Sequence, residues 1–171
     1  MRILIDSREQ APYLFRGFDV ETEVVAIPVG DYSLPGFQDR VSIERKSLED
    51  LIACLMGDNR DRFERELAKA RYFDLFAVVV EAPLSAVSRG QYRSEMKTQA
   101  ALQSILTFQV RYRVAFVWAG NRAGAEYIVH GLLSKYLREI GERFKVATKG
   151  QEVAGIRGQE SGIREKPKTK N

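Results

Sequence analysis

The sequence predicts an α/β domain of three layers, with helices packed on both faces of a mixed central sheet. Short apolar or β-branched runs alternate along the chain with longer stretches of helical period. The early strands follow one another without helices between them, so the sheet is expected to be mixed rather than purely parallel. A length of 171 residues and an apolar fraction of 44% suit one domain with a real core.

The elements read as follows. Ile3-Leu4-Ile5 is a buried strand ending in the polar Asp6. The stretch from Thr22 to Ile27 is β-branched and reads as a second strand, followed by a turn at Pro28-Val29-Gly30-Asp31. From Val41 to Lys46 the residues alternate, with Val41 and Ile43 on one face and Ser42, Glu44 and Lys46 on the other. Ser47 opens a helix whose apolar stripe is Leu48, Leu51, Ile52 and Leu55. Gly57-Asp58-Asn59 is expected to interrupt it before a second helix carrying Phe63, Leu67 and Ala70. The unbroken apolar run from Leu75 to Val80 fits a central strand covered on both faces. A loop is expected from Pro83 to Gly90. A helix then runs from about Glu95 to Tyr112, burying Leu102, Ile105, Leu106 and Phe108. Val114 to Trp118 is the last strand. The final helix, Ala123 to Phe144, has the clearest helical period in the chain. Residues 1–146 are read as the folded domain. Residues 147–171 are read as a basic, disordered tail, because glycines recur there and six basic residues from Lys149 onward face three acidic ones.

Composition narrows the function classes. A net charge of +4 and a pI near 9.2 are compatible with a polyanionic partner without requiring one. The one cysteine, Cys54, allows no internal disulfide, and the one histidine, His130, argues against histidine-rich metal sites and a Ser-His-Asp mechanism. The N-terminus is charged by Asp6, unlike a signal peptide, and no apolar run reaches the roughly 20 residues of a membrane helix. These features lead to the expectation of a cytoplasmic protein with no membrane partner, nucleoid-associated in a prokaryote or nuclear in a eukaryote.

The chemistry concentrates in Gly30-Asp31, then twelve residues, then Glu44-Arg45-Lys46, then Asp50. Glu44 and Lys46 are two apart on a strand and project from the same face. Glu44 offers a hard oxygen ligand suited to Mg²⁺, and Asp31, at the end of a turn, offers a second. Lys46 can orient an attacking water and offset charge growing on a phosphate. The bland alternative for an acid and a lysine so spaced is a solvated surface pair worth ~0–1 kcal/mol.

The pattern Gly-Asp, Glu-Arg-Lys, three residues and Asp resembles the nuclease motif of the XPF/Hef (ERCC4-type) family of structure-specific endonucleases. Ile5-Asp6-Ser7-Arg8-Glu9, Arg71-Tyr72-Phe73 with the strand to Glu81, and Ser104 to Trp118 are similar to further family segments, so the likeness spans about residues 3–140. The resemblance implies a restriction-endonuclease-like fold and Mg²⁺-dependent cleavage of branched, flapped or forked DNA in repair or recombination, with Mn²⁺ able to substitute. It implies Asp31 and Glu44 as metal ligands and Asp6 as a further ligand or supporting acid. It also implies Lys46 as the water-orienting residue, with the carbonyl of Arg45 as an added ligand. Asp50 joins the catalytic set by anchoring Lys46, or caps the helix opened by Ser47, and the two roles can coexist. Arg8, Arg60 and Arg62 are candidates for contact with DNA. Many family members carry helix-hairpin-helix modules after the nuclease domain, and nothing after Phe144 resembles them, so a stand-alone nuclease domain is expected. Partners implied are DNA and a second copy or a related nuclease subunit, paired through the last helix, where Tyr127, Tyr136 and Phe144 add aromatic surface. Two other readings stay open: a non-catalytic DNA-binding subunit, and a protein-interaction module. His130, Cys54, Tyr72, Phe73 and Trp118 read as packing residues.

Overall fold

Six strands and five helices are built from these segments: β1 (Arg2–Asp6), β2 (Glu21–Val25), β3 (Tyr32–Ser33), β4 (Val41–Lys46), α1 (Leu48–Ala53), α2 (Gly57–Ala70), β5 (Leu75–Val80), α3 (Leu84–Ser88), α4 (Thr98–Tyr112), β6 (Ala115–Trp118) and α5 (Arg122–Glu160). The structure, a computed structural model, describes the backbone of residues 1–160 and the side chains of residues 1–149. One unit covers Met1–Ser134 and a second begins at Lys135, within α5.

The strands form a mixed sheet in the order β2-β1-β3-β4-β5-β6. β1 pairs parallel with β2 and antiparallel with β3, and β3 is antiparallel to β4. β4, β5 and β6 are parallel. The antiparallel step is the two-residue β3, too short to announce itself by alternation. Side chains of β5 alternate between faces. Phe76, Val78 and Val80 join Leu51, Ile52, Phe63, Leu67 and Phe108 in the larger core, beneath α1, α2 and α4. Ala77 and Val79 face the other way. On that side lie the loop after β1 and the start of α5, tied together by Arg122 donating to the carbonyls of Ala11 and Pro12 and by Phe18 stacked on His130. Ala125, Val129 and Leu133 of α5 are fully buried at four-residue spacing.

Several expectations need correction. Gly57-Asp58-Asn59 is the first turn of α2, where Asp58 is placed favourably at the positive end of the helix dipole. The segment after Pro83 is not all loop, since α3 forms there. Leu106 is 52% exposed, because only the Ala101, Ile105, Phe108 and Tyr112 side of α4 meets the core. Tyr72 is 79% exposed with the Arg71 guanidinium over its ring, so it does not belong to the core. Phe73, Trp118 and Cys54 do pack against it. Regular backbone does not end at 146: α5 continues to Glu160, where Ala147, Lys149, Gln151, Glu152 and Ala154 are good helix formers among the glycines. Residues 161–171 of the expected tail lie outside the described residues. In the second unit the exposed helix carries the pairs Arg143–Glu139 and Lys145–Glu142. Among the described residues no helix is long and apolar enough to cross a membrane.

Candidate active site

The site is built where β1, β4 and the turn before β3 converge. Gly30 has a φ of 81°, and a Cβ there would collide with the Ser42 hydroxyl, so only glycine fits. Ser42 in turn donates to the Val29 carbonyl at 2.7 Å. Asp31 is stapled between strands: its N–H donates to the Ile43 carbonyl and its carbonyl accepts from the Asp6 N–H, both at 2.8 Å. Its Oδ2 accepts the Arg45 N–H at 2.7 Å. Glu44 and Lys46 project from β4 toward α2. Lys46 Nζ donates to Glu44 Oε1 and lies 5.4 Å from the Phe63 ring centroid.

Asp31, Glu44 and Lys46 thus share one cavity of about 590 Å³. Asp31 Oδ1 and Glu44 Oε2 accept no hydrogen bond from the described residues, and neither oxygen is sealed from solvent. Burial, and to a lesser degree the neighbouring carboxylates of Glu9 and Glu66, outweigh the Arg45 N–H and Lys46 and push Asp31 up to about 6. Burial and Asp31 push Glu44 well above the usual carboxylate range, against the pull of Lys46. Burial opposes the charge on Lys46, but Glu44, with Cys54 and Asp31, more than compensates and holds it protonated. Two crowded carboxylates with one open oxygen each form a donor set of the kind that Mg²⁺ takes.

Arg45 points to the opposite side of the sheet. It pairs with Glu9 at 3.0 Å and Glu81 at 3.3 Å, and only 12% of its side chain is exposed. Glu81 also accepts from the Tyr13 hydroxyl and from Arg122. The side chain of Arg45 is therefore a strut, and its N–H holds Asp31.

The remaining predicted residues divide. Asp6 lines the cavity, but both of its oxygens are engaged: Oδ1 by the N–H and Nε of Arg8, Oδ2 by Arg8 Nη2 and the Ile27 N–H. Burial favours its neutral form, yet these donors together hold it below the usual carboxylate range. The geometry makes Asp6 a brace between β1 and the segment after β2. Arg8 borders the cavity with its guanidinium spent on Asp6 and the Ile27 carbonyl. Asp50 lies outside the cavity lining. Ser47 caps α1 by accepting the Asp50 N–H at 3.1 Å and donating to Asp50 Oδ2 at 2.7 Å, which is the capping role. Arg60 is likewise outside: it bonds Glu64, the Leu55 carbonyl and Ser104, and stacks 4.8 Å from Phe108. Arg62 does line the cavity.

Sequence reasoning missed Arg65, Glu66 and Lys69, which share the cavity wall with Arg62. Glu66 accepts the Gly30 N–H at 3.3 Å. The signal was present. Once Phe63, Leu67 and Ala70 define the buried face of α2, positions 62, 65, 66 and 69 form a second stripe at i, i+3, i+4 and i+7.

Comparison with known proteins follows the same outline. The family model described as the ERCC4 domain matches residues 5–131. No curated protein matches the chain in sequence. The solved structure of XPF from Aeropyrum pernix is similar with a TM-score of 0.66 at 18% identity, covering 85% of this chain and 69% of that one. XPF from Aeropyrum pernix in complex with DNA is similar with a TM-score of 0.63 at 20% identity, covering 81% of this chain and 66% of that one. The fold is the restriction-endonuclease-like α/β fold that these structures share.

Proposed function

The chain belongs to the ERCC4 domain family, and on that premise we propose that it is a metal-dependent endonuclease hydrolysing phosphodiester bonds in DNA. The observation that carries this reading is the pair of open carboxylate oxygens, on Asp31 and Glu44, facing one cavity beside the Lys46 ammonium. Asp31 and Glu44 would hold Mg²⁺ or Mn²⁺, with the Arg45 carbonyl as a further ligand. When bound, the ion supplies Lewis-acid polarisation of the phosphoryl oxygen and a more acidic water. Lys46, fixed by Glu44, would orient the attacking water and offset the negative charge that grows on the phosphate. The Arg45 N–H orients Asp31, and the Arg45 side chain locks the end of β4. Asp6 braces the floor without holding the ion.

Branched, flapped or forked DNA is the substrate class that the family resemblance favours, and the DNA complex of the Aeropyrum pernix neighbour supports DNA as the partner. Pairing with a second copy or a related subunit belongs to the same reading, with exposed Tyr127 and Phe144 as candidate contacts. The test is incubation with labelled duplex, flap and fork DNA in Mg²⁺, Mn²⁺ or chelator. Metal-dependent cuts, most frequent on flap or fork, are expected. Binding of DNA without cleavage in either metal would instead support a non-catalytic subunit. Sedimentation across micromolar concentrations tests pairing, and a cutting species that stays monomeric would reject it as a requirement.

A further inference from the structure

α2 is a helix of two unlike faces. Phe63, Leu67 and Ala70 are buried, whereas Arg62, Arg65 and Lys69 lie along the wall of the cavity that holds Asp31 and Glu44. The cations near this helix are not alike in their partners. Arg60 is paired with Glu64, and Glu64 also takes Arg111. Arg8, which also borders the cavity, is paired with Asp6. Among the described residues Arg62, Arg65 and Lys69 have no ion pair, although the cavity floor beside them is acidic. The acid on their face, Glu66, is turned to the Gly30 N–H. Three uncommitted cations on one wall of the cleft fit a ligand that is itself a string of anions. The seven residue steps from Arg62 to Lys69 rise roughly 10.5 Å along the helix at about 1.5 Å each, a length along which one strand can present a phosphate to each cation.

We propose that Arg62, Arg65 and Lys69 form a rail that carries about three phosphates of one nucleic-acid strand along α2 and delivers the next to Asp31, Glu44 and Lys46. The inference rests on the nuclease reading and adds to it which wall the strand follows. Arg8 also borders the cleft, but unlike these three it is ion-paired, to Asp6.

The experiment measures binding separately from cleavage. The full chain is titrated into fluorescein-labelled flap DNA in chelator, across roughly 50 to 200 mM KCl, with fluorescence anisotropy as readout. For R62Q/R65Q/K69Q the log–log salt slope should flatten by about 2–3 units, at roughly 0.7–0.9 for each phosphate no longer neutralised, while Lys97→Gln, a charge removed away from the cavity, leaves the slope alone. A thermal melt checks folding. Should the triple variant not fold, the single variants must each flatten the slope by about 0.7–0.9. A parent that binds DNA with an unchanged slope in folded variants overturns the rail and leaves the nuclease reading intact. A parent that neither binds nor cuts DNA overturns the nuclease reading, and the rail with it.

Discussion

The two sides of the end of β4 are buried to a similar degree yet differ in charge balance. On one side Arg45 sits between Glu9 and Glu81, with Arg122 completing two cations against two anions. On the other, Asp31 and Glu44 sit beside Lys46 in the cavity, whose wall carries Arg62, Arg65, Glu66 and Lys69. Burial does not separate them, since the side chains of Arg45 and Lys46 are 12% and 16% exposed. Balance does. Next to β4 two cations meet two anions on one side, which holds backbone in place, and two carboxylates meet one ammonium on the other, which leaves one oxygen of each carboxylate open. Adjacent residues of one strand thus serve two purposes because the strand turns them to opposite faces.

Three substitutions probe that contrast. The largest effect on stability belongs to the balanced side. Arg45→Gln leaves Glu9 and Glu81 buried without their shared partner and should cost about 3–5 kcal/mol, read from the shift in urea midpoint. A loss below ~1 kcal/mol would show that the cluster is not a strut. Next comes the reactive side. Lys46→Ala should lower the cleavage rate on the order of 10²-fold, about 2.7 kcal/mol, while calorimetric Mn²⁺ affinity persists. Parallel loss of both would contradict the division of labour between amine and carboxylates.

The smallest effect has its own pH signature. Asp31, with an ordinary value of 3.8, is raised to about 6 by burial, so between those values it keeps its proton only when folded. The stability from that retained proton is present below 3.8 and lost as pH rises through about 6. Asp31→Asn keeps an oxygen for the Arg45 N–H and removes the charge. Without metal the variant should therefore exceed the parent by on the order of 1 kcal/mol, about 2–4 °C in Tm, at pH values well above that interval. The gap should close in acid. A variant less stable than the parent at high pH would mean that the Asp31 charge is compensated in the metal-free protein.

Much of this was legible in the sequence, and what was not has identifiable causes. The alternation in Val41 to Lys46 placed Glu44 and Lys46 together, and the glycine before Asp31 is explained by its contact with Ser42. Asp50 and Arg60 are matters of spacing without orientation. Three residues past Ser47 is a cap whatever the motif, and Arg60 is drawn to Glu64, Ser104 and Phe108, the last two distant in sequence. The saturation of Asp6 depends on Ile27, brought near by the parallel pairing of β1 with β2, which no local pattern states. Phe63, Leu67 and Ala70 already set the register of α2, from which Arg65, Glu66 and Lys69 follow as one stripe; no spacing states that this stripe lines the cavity of Asp31 and Glu44.

The central claim is that the open carboxylate oxygens of Asp31 and Glu44 hold a divalent cation for DNA hydrolysis. Its most direct test is calorimetric titration of Mn²⁺ into the parent and into Glu44→Gln, alongside cleavage of flap DNA by the same samples. The parent is expected to bind Mn²⁺ and cut, and Glu44→Gln to remain folded while losing measurable Mn²⁺ binding and falling on the order of 10³-fold or more in rate. Undiminished Mn²⁺ binding or cleavage by Glu44→Gln would contradict the account.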